Sequence, residues 1–266
     1  MAMRLTILGS GSAGNCALLC TEQSKVLVDV GFSGRRIGEL LTAVGHALEE
    51  IDAVFITHEH SDHCAGAAAL GRQERLKFFA NSATAEAVQR PLRHRLPWQI
   101  FETGSRFRFR DLEVESFALP HDAIEPVGFT FTQLSSEPDG RGRSVAFVTD
   151  LGYAPELVRQ RIAKVDILVL EANHDPALLQ RDTRRPWSVK QRIAGRHGHL
   201  SNQAACELVA SVESPSWQHL CLAHLSRDCN TLEAVREAFA RLLASAPAFT
   251  LSIIPPDNGG PVFDLP

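Results

Sequence analysis

The segment whose residue types most clearly indicate a chemical function is residues 57–63, Thr-His-Glu-His-Ser-Asp-His. It follows the apolar run 51–56, which has the composition of a buried strand. His58 and His60 are two residues apart, so on an extended segment both imidazoles point the same way and can reach one ion. Asp62 and His63 follow in the turn and can face a second ion. Imidazole and carboxylate ligands suit zinc, manganese or iron, so the segment predicts a site for two divalent metal ions.

Three more metal-competent residues stand where strand-like runs end. His121 follows the run 113–119, Asp150 follows 144–149, and His224 follows 219–223. Taken singly, each could be a surface histidine or a turn aspartate. Four strand tips that all end in such groups instead predict ligands recruited from separate loops, because the short segment alone supplies too few.

These tips need a layered framework to bring them together. Strand-like runs occupy 4–8, 17–21, 25–30, 51–56, 107–109, 113–119, 127–133, 144–149, 167–170, 219–223 and 249–254. Helix-like runs occupy 31–44, 65–71, 83–89, 155–164, 202–212 and 231–244, with Ser201 as a predicted N-cap. Each half of the chain has a series of strands followed by helices. This repeated order predicts two sheets covered by outer helices in one domain, 1–266. Residues 135–142 are predicted to be a polar hairpin connection.

Composition narrows the class of protein. The chain has 266 residues, is 44% hydrophobic and carries a net charge of −4, so any nucleic-acid contact must be a local patch. No apolar run approaches the roughly 20 residues of a membrane helix, and residues 1–8 show no signal pattern. The six cysteines form no Cys-x-x-Cys pair. We therefore expect a reduced, cytoplasmic protein with no membrane contact.

The metal motifs resemble those of the metallo-β-lactamase-fold hydrolases. The resemblance implies an α+β fold, a four-layer αβ/βα sandwich with the site at one edge of both sheets. It implies that one ion is held by His58, His60 and His121. It implies that the other is held by Asp62, His63 and His224, with Asp150 bridging both. Asp29 matches an early family aspartate that orients the ligands, although a strand-ending turn aspartate is equally compatible.

Two adjacent ions lower the pKa of a shared water to about 7 and clamp a phosphoryl oxygen. The expected nucleophile is then a metal-bridging hydroxide, and Asp62 counts among the catalytic candidates as well as the ligands. Hydrolysis follows from such a site, but the substrate does not, because this fold hosts several hydrolytic chemistries.

Two further segments favour a phosphodiester. Residues 170–173 and 198–201 are similar to elements of tRNA 3′-processing nucleases. By that likeness Glu171 orients His199, which binds the scissile phosphate or protonates the leaving oxygen. The alternative for His199 is a capping or packing histidine. A glutamate that ends an apolar strand is costly to bury alone, so Glu171 should have a partner.

A basic segment between Arg181 and Arg196 also contains Trp187. Cationic side chains fit phosphates and an indole can stack on a base, whereas the alternative is a solvated loop with a tryptophan anchored in the core. The glycine-rich loop 9–15 is predicted to be a tight turn at the edge of the site rather than a phosphate cradle. The predicted substrate-binding residues are Asn15, Asn173, His174, Trp187, Lys190 and Arg192. Asn173 could instead be a turn former.

The motifs at 9–15, 120–123, 149–152, 170–175, 198–202 and 224–226 together look like the YycJ/VicX group. That resemblance implies a DNA exonuclease acting 5′ to 3′ with manganese or zinc, so DNA is expected as partner before RNA. A cyclic phosphodiesterase and a tRNA 3′-processing nuclease remain alternatives; no glycine-rich exosite insertion is evident between Asp150 and His199. A regulatory protein with a structural metal is a third alternative, which the large number of ligand candidates disfavours.

Overall fold

The computed structural model describes residues 3–135, 142–256 and 259–265, and the strands in these residues form two seven-stranded sheets. The first sheet contains β1 Met3–Gly9, β2 Cys16–Cys20, β3 Lys25–Val28, β4 Ala53–Phe55, β5 Lys77–Asn81, β6 Trp98–Phe101 and β14 Val262–Leu265. Its spatial order is β14-β1-β2-β3-β4-β5-β6. Strands β3 to β6 run parallel to one another, so their carboxyl ends lie along one edge.

The second sheet contains β7 Arg106–Phe109, β8 Leu112–Ala118, β9 Val127–Gln133, β10 Arg143–Val148, β11 Ile167–Glu171, β12 His219–Ala223 and β13 Thr250–Ile253. Its spatial order follows the chain reversed, β13-β12-β11-β10-β9-β8-β7. Strands β10 to β13 are parallel, with Glu171 opposite Ala223 in the register. The loops after β10, β11 and β12 therefore leave the sheet at the same edge.

Helices occur between the strands. They are α1 Gly34–Ala43, α2 Ser61–Cys64, α3 Ala67–Leu70, α4 Ser82–Gln89, α5 Glu156–Ile162, α6 Pro176–Arg181, α7 Trp187–Ile193, α8 Asn202–Ser211 and α9 Leu232–Ala244, with a short 3-10 turn at Leu48–Glu50. The predicted N-cap Ser201 is confirmed, because its hydroxyl accepts a hydrogen bond from the Ala204 amide at 3.1 Å.

Alternate residues of the strands enter different apolar layers. The inner faces of both sheets pack on each other around Phe55, whose ring lies 4.6 Å from Phe79 and 5.0 Å from Phe131, centre to centre. Helices α1, α3 and α4 cover the outer face of the first sheet. Helices α5, α8 and α9 cover that of the second sheet. This helix–sheet–sheet–helix order confirms the predicted α+β four-layer sandwich.

Several predicted elements have different bounds. The helix predicted at 65–71 is shorter in the structure and begins only at Ala67. Gly66 before it donates a hydrogen bond to the Val30 carbonyl at 2.7 Å, and a side chain there would strike the Phe32 carbonyl. Strands β5, β6 and β14 were not predicted. Strand β6 lies at an edge with Gln99 and Ile100 exposed, so it lacks an alternating pattern. The connection predicted at 135–142 lies mostly outside the described residues.

In the part of the chain that the structure describes, no helix has both the length and the apolar composition that a bilayer crossing requires.

Candidate metal centre

Three of the predicted ligands meet at the carboxyl ends of β4 and β8. The Nε2 atom of His121 lies 3.3 Å from Nδ1 of His60, and the ring of His58 lies 4.7 Å from that of His60. One potential ligand atom from each of these residues lies within 4.8 Å of the others. The structure thus brings together the first predicted group.

The hydrogen bonds of His121 and His58 leave one nitrogen of each ring available to a metal ion. Nδ1 of His121 donates to the Gly198 carbonyl at 2.9 Å, so Nε2 is the unprotonated nitrogen of the neutral ring. Nδ1 of His58 lies 3.0 Å from the Thr57 hydroxyl, and its buried Nε2 has no hydrogen-bond partner among the described residues. Burial lowers the pKa of His58 well below its usual value and also lowers that of His121, which keeps both rings neutral.

The second predicted group is Asp62, His63 and His224. Oδ2 of Asp62 lies 3.6 Å from Nε2 of His63 and 3.5 Å from Nε2 of His224. Each of the two rings has its Nδ1 on a carboxylate: His63 contacts Asp29 at 2.7 Å, and His224 contacts Glu171 at 2.7 Å. Such carboxylate–histidine pairs orient imidazoles that coordinate metal through the other nitrogen.

Asp150 lies between the two groups. Its Oδ2 is 3.1 Å from Nε2 of His63, and its Oδ1 is 3.7 Å from Nε2 of His121. Two ligand atoms about 2 Å from one ion lie roughly 3 Å apart, so the first distance is that of two ligands of one ion. Although His63 is close, Oδ2 of Asp150 is buried and has no hydrogen bond of good geometry to any residue that the structure describes. This placement fits a bridging ligand.

The charged groups of the centre shift one another's pKa values. Burial opposes charging of His224, but the carboxylates of Asp150, Asp62 and Glu171 outweigh it and raise the pKa of His224 to about 10. Burial likewise opposes charging of His63, yet Asp150 and Asp29 raise its pKa well above the usual value. Burial also disfavours an ionised Asp150, but His224 and His63 hold its pKa well below normal. The buried carboxylates therefore require cations, which are protons in the absence of metal.

The donor set itself fits divalent ions. It combines the neutral imidazoles of His58 and His121 with ionised carboxylates. Two of its buried atoms, Nε2 of His58 and Oδ2 of Asp150, have no hydrogen bond to any residue that the structure describes. Zinc, manganese and iron accept this mixture of nitrogen and oxygen ligands.

Three residues of the centre have left-handed backbone conformations. The φ angles are 58° at Asp29, 62° at Asp150 and 56° at His224. Asp29 and His224 directly follow β3 and β12, and Asp150 stands two residues after β10. Non-glycine residues in this region cost about 1 kcal/mol or more, and such strain concentrates at functional sites. The turn in each case redirects a carboxylate or an imidazole towards the edge of the sheets.

The loop that carries Asp62 is fixed by close backbone approach. The amide of Val30 donates to the His63 carbonyl at 2.8 Å, and that of Asn15 donates to the Asp62 carbonyl at 2.8 Å. A Cβ at Gly31 would lie 1.7 Å from the same Asp62 carbonyl oxygen. Only glycine at this position therefore allows the two loops to meet.

Glu171 connects His224, one of the predicted ligands, to His199. Oε1 lies 2.8 Å from Nδ1 of His199 as well as 2.7 Å from His224, while Oε2 accepts from the amides of Leu151 and Leu200. The partner expected for Glu171 is thus present. Burial opposes its ionisation, but the contact with His199 lowers the pKa of Glu171 to about 2. Burial disfavours the charged His199, and Glu171 raises its pKa.

Two of the predicted substrate-binding residues have structural contacts. Asn15 is 7% exposed, and its amide oxygen accepts from the Gly11 amide at 2.9 Å. Asn173 is 5% exposed and donates to the His224 carbonyl at 3.0 Å. Their placement supports the loops of the centre and gives no support to a substrate contact.

Three of the other four candidates line an adjacent cavity. His174, Trp187 and Lys190 line the cavity, and Nζ of Lys190 donates to the Gln180 carbonyl at 2.8 Å. Arg192 lies outside that lining and pairs with Asp122 at 2.8 Å. The basic segment, for which a solvated loop was the alternative, contains the helix α7. Trp187 is 64% exposed, so the alternative of a tryptophan anchored in the core is wrong.

Several contributing residues were missed in the sequence. Thr57 bonds Asp29 through both its amide and its hydroxyl, and Ser10 accepts a hydrogen bond from the His224 amide at 2.8 Å. Oδ1 of Asp122 lies 3.2 Å from Nε2 of His121. Asp122 and Thr57 adjoin predicted ligands in the chain, which could have identified them. Ser10 acts across the two sheets, which no local pattern shows.

Comparison with known proteins agrees with this geometry. A family profile described as a beta-lactamase superfamily domain matches residues 24–224. The chain is 35% identical to exodeoxyribonuclease YycJ of Bacillus anthracis, over 91% of this chain and 90% of that protein. It is 33% identical to exodeoxyribonuclease WalJ of Streptococcus pneumoniae, over 92% and 90%.

A crystal structure of the metallo-beta-lactamase fold protein YhfI from Bacillus subtilis superposes with a TM-score of 0.70 at 17% identity, over 99% of both chains. That likeness concerns the fold alone. The profile match and the two relatives decide the family: this chain belongs to the beta-lactamase superfamily and is a YycJ-like, metal-dependent hydrolase of the metallo-β-lactamase fold.

Proposed function

We propose that this protein is a DNA exonuclease that uses two divalent metal ions. The observation that carries the proposal is the position of Asp150 between the two ligand groups, 3.1 Å from His63 and 3.7 Å from His121. A pair of neighbouring ions suits the in-line displacement at a phosphodiester. DNA is proposed as substrate because both relatives that match nine-tenths of this chain are named exodeoxyribonucleases.

Further features of the proposal rest on resemblance and on ligand chemistry. Digestion from 5′ to 3′ is proposed because the motifs resemble those of the YycJ/VicX group. Zinc or manganese is proposed as the metal, and iron is compatible with the same ligands. A cytoplasmic location, where DNA is accessible, agrees with the isolated cysteines.

Ions bound at the two groups would lower the pKa of bound water to about 7 and polarise a phosphoryl oxygen. The protein's own groups prepare the site for them. Asp29 and Glu171 hold the Nδ1 atoms of His63 and His224, so that Nε2 of each ring faces the centre, where a metal ion would displace its proton. The carboxylate of Asp62 faces both of these nitrogens.

His199 is proposed as the proton donor to the leaving oxygen. Its Nδ1 is occupied by Glu171, which leaves Nε2 for the substrate. Its ring centre lies 5.0 Å from that of His121 and 5.4 Å from that of His224, directly beside both ligand groups. Glu171 raises the pKa of His199 against the effect of burial, which favours the protonated ring that a proton donor needs.

The test is digestion of end-labelled DNA and RNA, single-stranded and duplex, by protein first stripped of metal and then supplied with manganese or zinc. We expect metal-dependent release of nucleotides from DNA, beginning at the 5′ end. Asp150→Asn should remove this activity. Asp264→Asn is the matched control, because Asp264 is an exposed aspartate on the edge strand β14, where it pairs with Arg4. Lack of DNA digestion with every metal, or full activity of Asp150→Asn, would refute the proposal.

A further inference from the structure

A cavity of about 510 Å³ lies beside the metal centre. Helices α6 and α7 and the beginning of α8 form its walls, together with Gly152, which follows Asp150 by two residues. His199 lines the same cavity, so a strand whose phosphate contacts His199 has this space immediately next to its scissile bond.

The cavity has a mainly apolar wall and an aromatic rim. Pro176, Leu179 and Ala194 contribute to the lining, and the indole of Trp187 is 64% exposed beside them. A flat heterocycle suits such a surface, because base stacking on an aromatic side chain tolerates any of the bases. The volume is in the range of small-ligand sites, which run from about 300 to 1,000 Å³.

One buried polar group interrupts the apolar wall. His174 lines the cavity, is only 2% exposed, and its Nδ1 has no hydrogen-bond partner among the described residues. Burial lowers the pKa of His174 to about 4. The ring is therefore neutral at physiological pH and offers one donor and one acceptor, which suits an uncharged base edge rather than a phosphate.

We propose that this cavity binds the unpaired terminal nucleoside of the DNA strand, with the base against Trp187 and the apolar wall and with His174 as its hydrogen-bonding partner. The proposal rests on the proposed nuclease function and adds a subsite to it. A cavity of this size accommodates one nucleoside, and a paired terminal base would have to separate from its complement to enter.

The test compares two strands that differ only at the terminal nucleotide from which digestion proceeds. One strand carries a normal base there and the other carries an abasic residue with the same phosphate. If the cavity binds the base, the wild-type enzyme should remove the normal terminal nucleotide about tenfold more efficiently, as expected for one lost stacking interaction.

Ala194→Phe tests the location of this preference. Ala194 directly follows α7 as its C-cap, is exposed and lines the cavity, so a phenyl ring there should occupy the space of the base. The ratio between the two strands should then approach one. Ala244→Phe is the matched control, because Ala244 is an exposed alanine at the end of α9, outside the cavity lining. This variant should keep the tenfold ratio.

The outcomes separate the two proposals. A wild-type enzyme that digests both strands equally would overturn the nucleoside subsite and leave the nuclease function intact. If Ala194→Phe and Ala244→Phe show the same ratio between the normal and the abasic strand, the proposed location of the subsite is wrong. Failure of the wild-type protein to digest any DNA would overturn the nuclease function itself, and this subsite with it.

Discussion

Asp29 accepts a hydrogen bond from Nδ1 of His63 at 2.7 Å, at a point where its own backbone is left-handed with φ 58°. The other carboxylate oxygen accepts from the Thr57 amide and hydroxyl at 2.9 and 3.0 Å. One aspartate thus fixes both the loop that carries the ligands and the tautomer of one ligand. His63 can present an unprotonated Nε2 only while Nδ1 keeps its proton.

Asp29→Asn should reduce metal affinity about 10- to 100-fold, the usual effect of losing a residue that orients a ligand. The asparagine oxygen can keep the Thr57 bonds, which leaves its amide group facing Nδ1 of His63 and favours the wrong tautomer. Calorimetric titration with zinc or manganese measures the effect, with Asp264→Asn as the control. Unchanged affinity would show that Asp29 is only a turn residue.

His199→Ala should lower kcat by about 10²- to 10⁴-fold, the contribution of a general acid, while metal content stays the same. The basic limb of the pH–rate profile should also disappear. His197→Ala is the control, since His197 is exposed two residues earlier in the chain. Loss of metal in His199→Ala would instead identify His199 as a ligand.

Metal binding should release protons. His63 and His224 have raised pKa values in the metal-free protein, about 10 for His224, and coordination requires the neutral rings. Below these pKa values the protons compete with metal, so affinity should fall as the pH falls. Calorimetry at pH 7 in buffers of different ionisation enthalpy counts the protons. Binding without proton release would contradict the predicted charge state.

The buried amides of Asn202 and Asn230 bond each other reciprocally at 2.8 and 2.9 Å. Asn230 also donates to the Ala172 and Asn173 carbonyls, next to Glu171. Asn202→Ala leaves buried polar groups unpaired and should lower the free energy of unfolding by about 1–3 kcal/mol. Urea unfolding of metal-free protein measures it. Exposed Gln160→Ala should change stability by less than about 0.5 kcal/mol, and an equal effect of both variants would refute the argument.

The residues that the structure brings together at the candidate centre could be recognised in the sequence because the signal is local. A polar residue that ends an apolar strand, as Asp150 and His224 do, can be recognised without a structure. The layers followed from the same runs, since buried strands and amphipathic helices have distinct periods. The resemblance supplied the grouping of ligands, which spacing alone left open.

The unpredicted features depend on contacts between distant segments. Ser10 meets His224 across the two sheets, and β14 pairs with β1 although the whole chain separates them. The nucleotide-binding candidates were chosen by residue type, which cannot tell buried Asn15 from exposed Trp187. The cavity that His174 and Trp187 share is formed by α6, α7, the beginning of α8 and Gly152, which are separate segments of the sequence.

Metal stoichiometry with anomalous diffraction tests the central claim most directly. A crystal of the wild-type protein loaded with manganese should contain two ions per chain, one among His58, His60 and His121 and one among Asp62, His63 and His224, with Asp150 contacting both. Asp150→Asn should weaken at least one of them. A single ion, or ions bound away from these residues, would contradict the account.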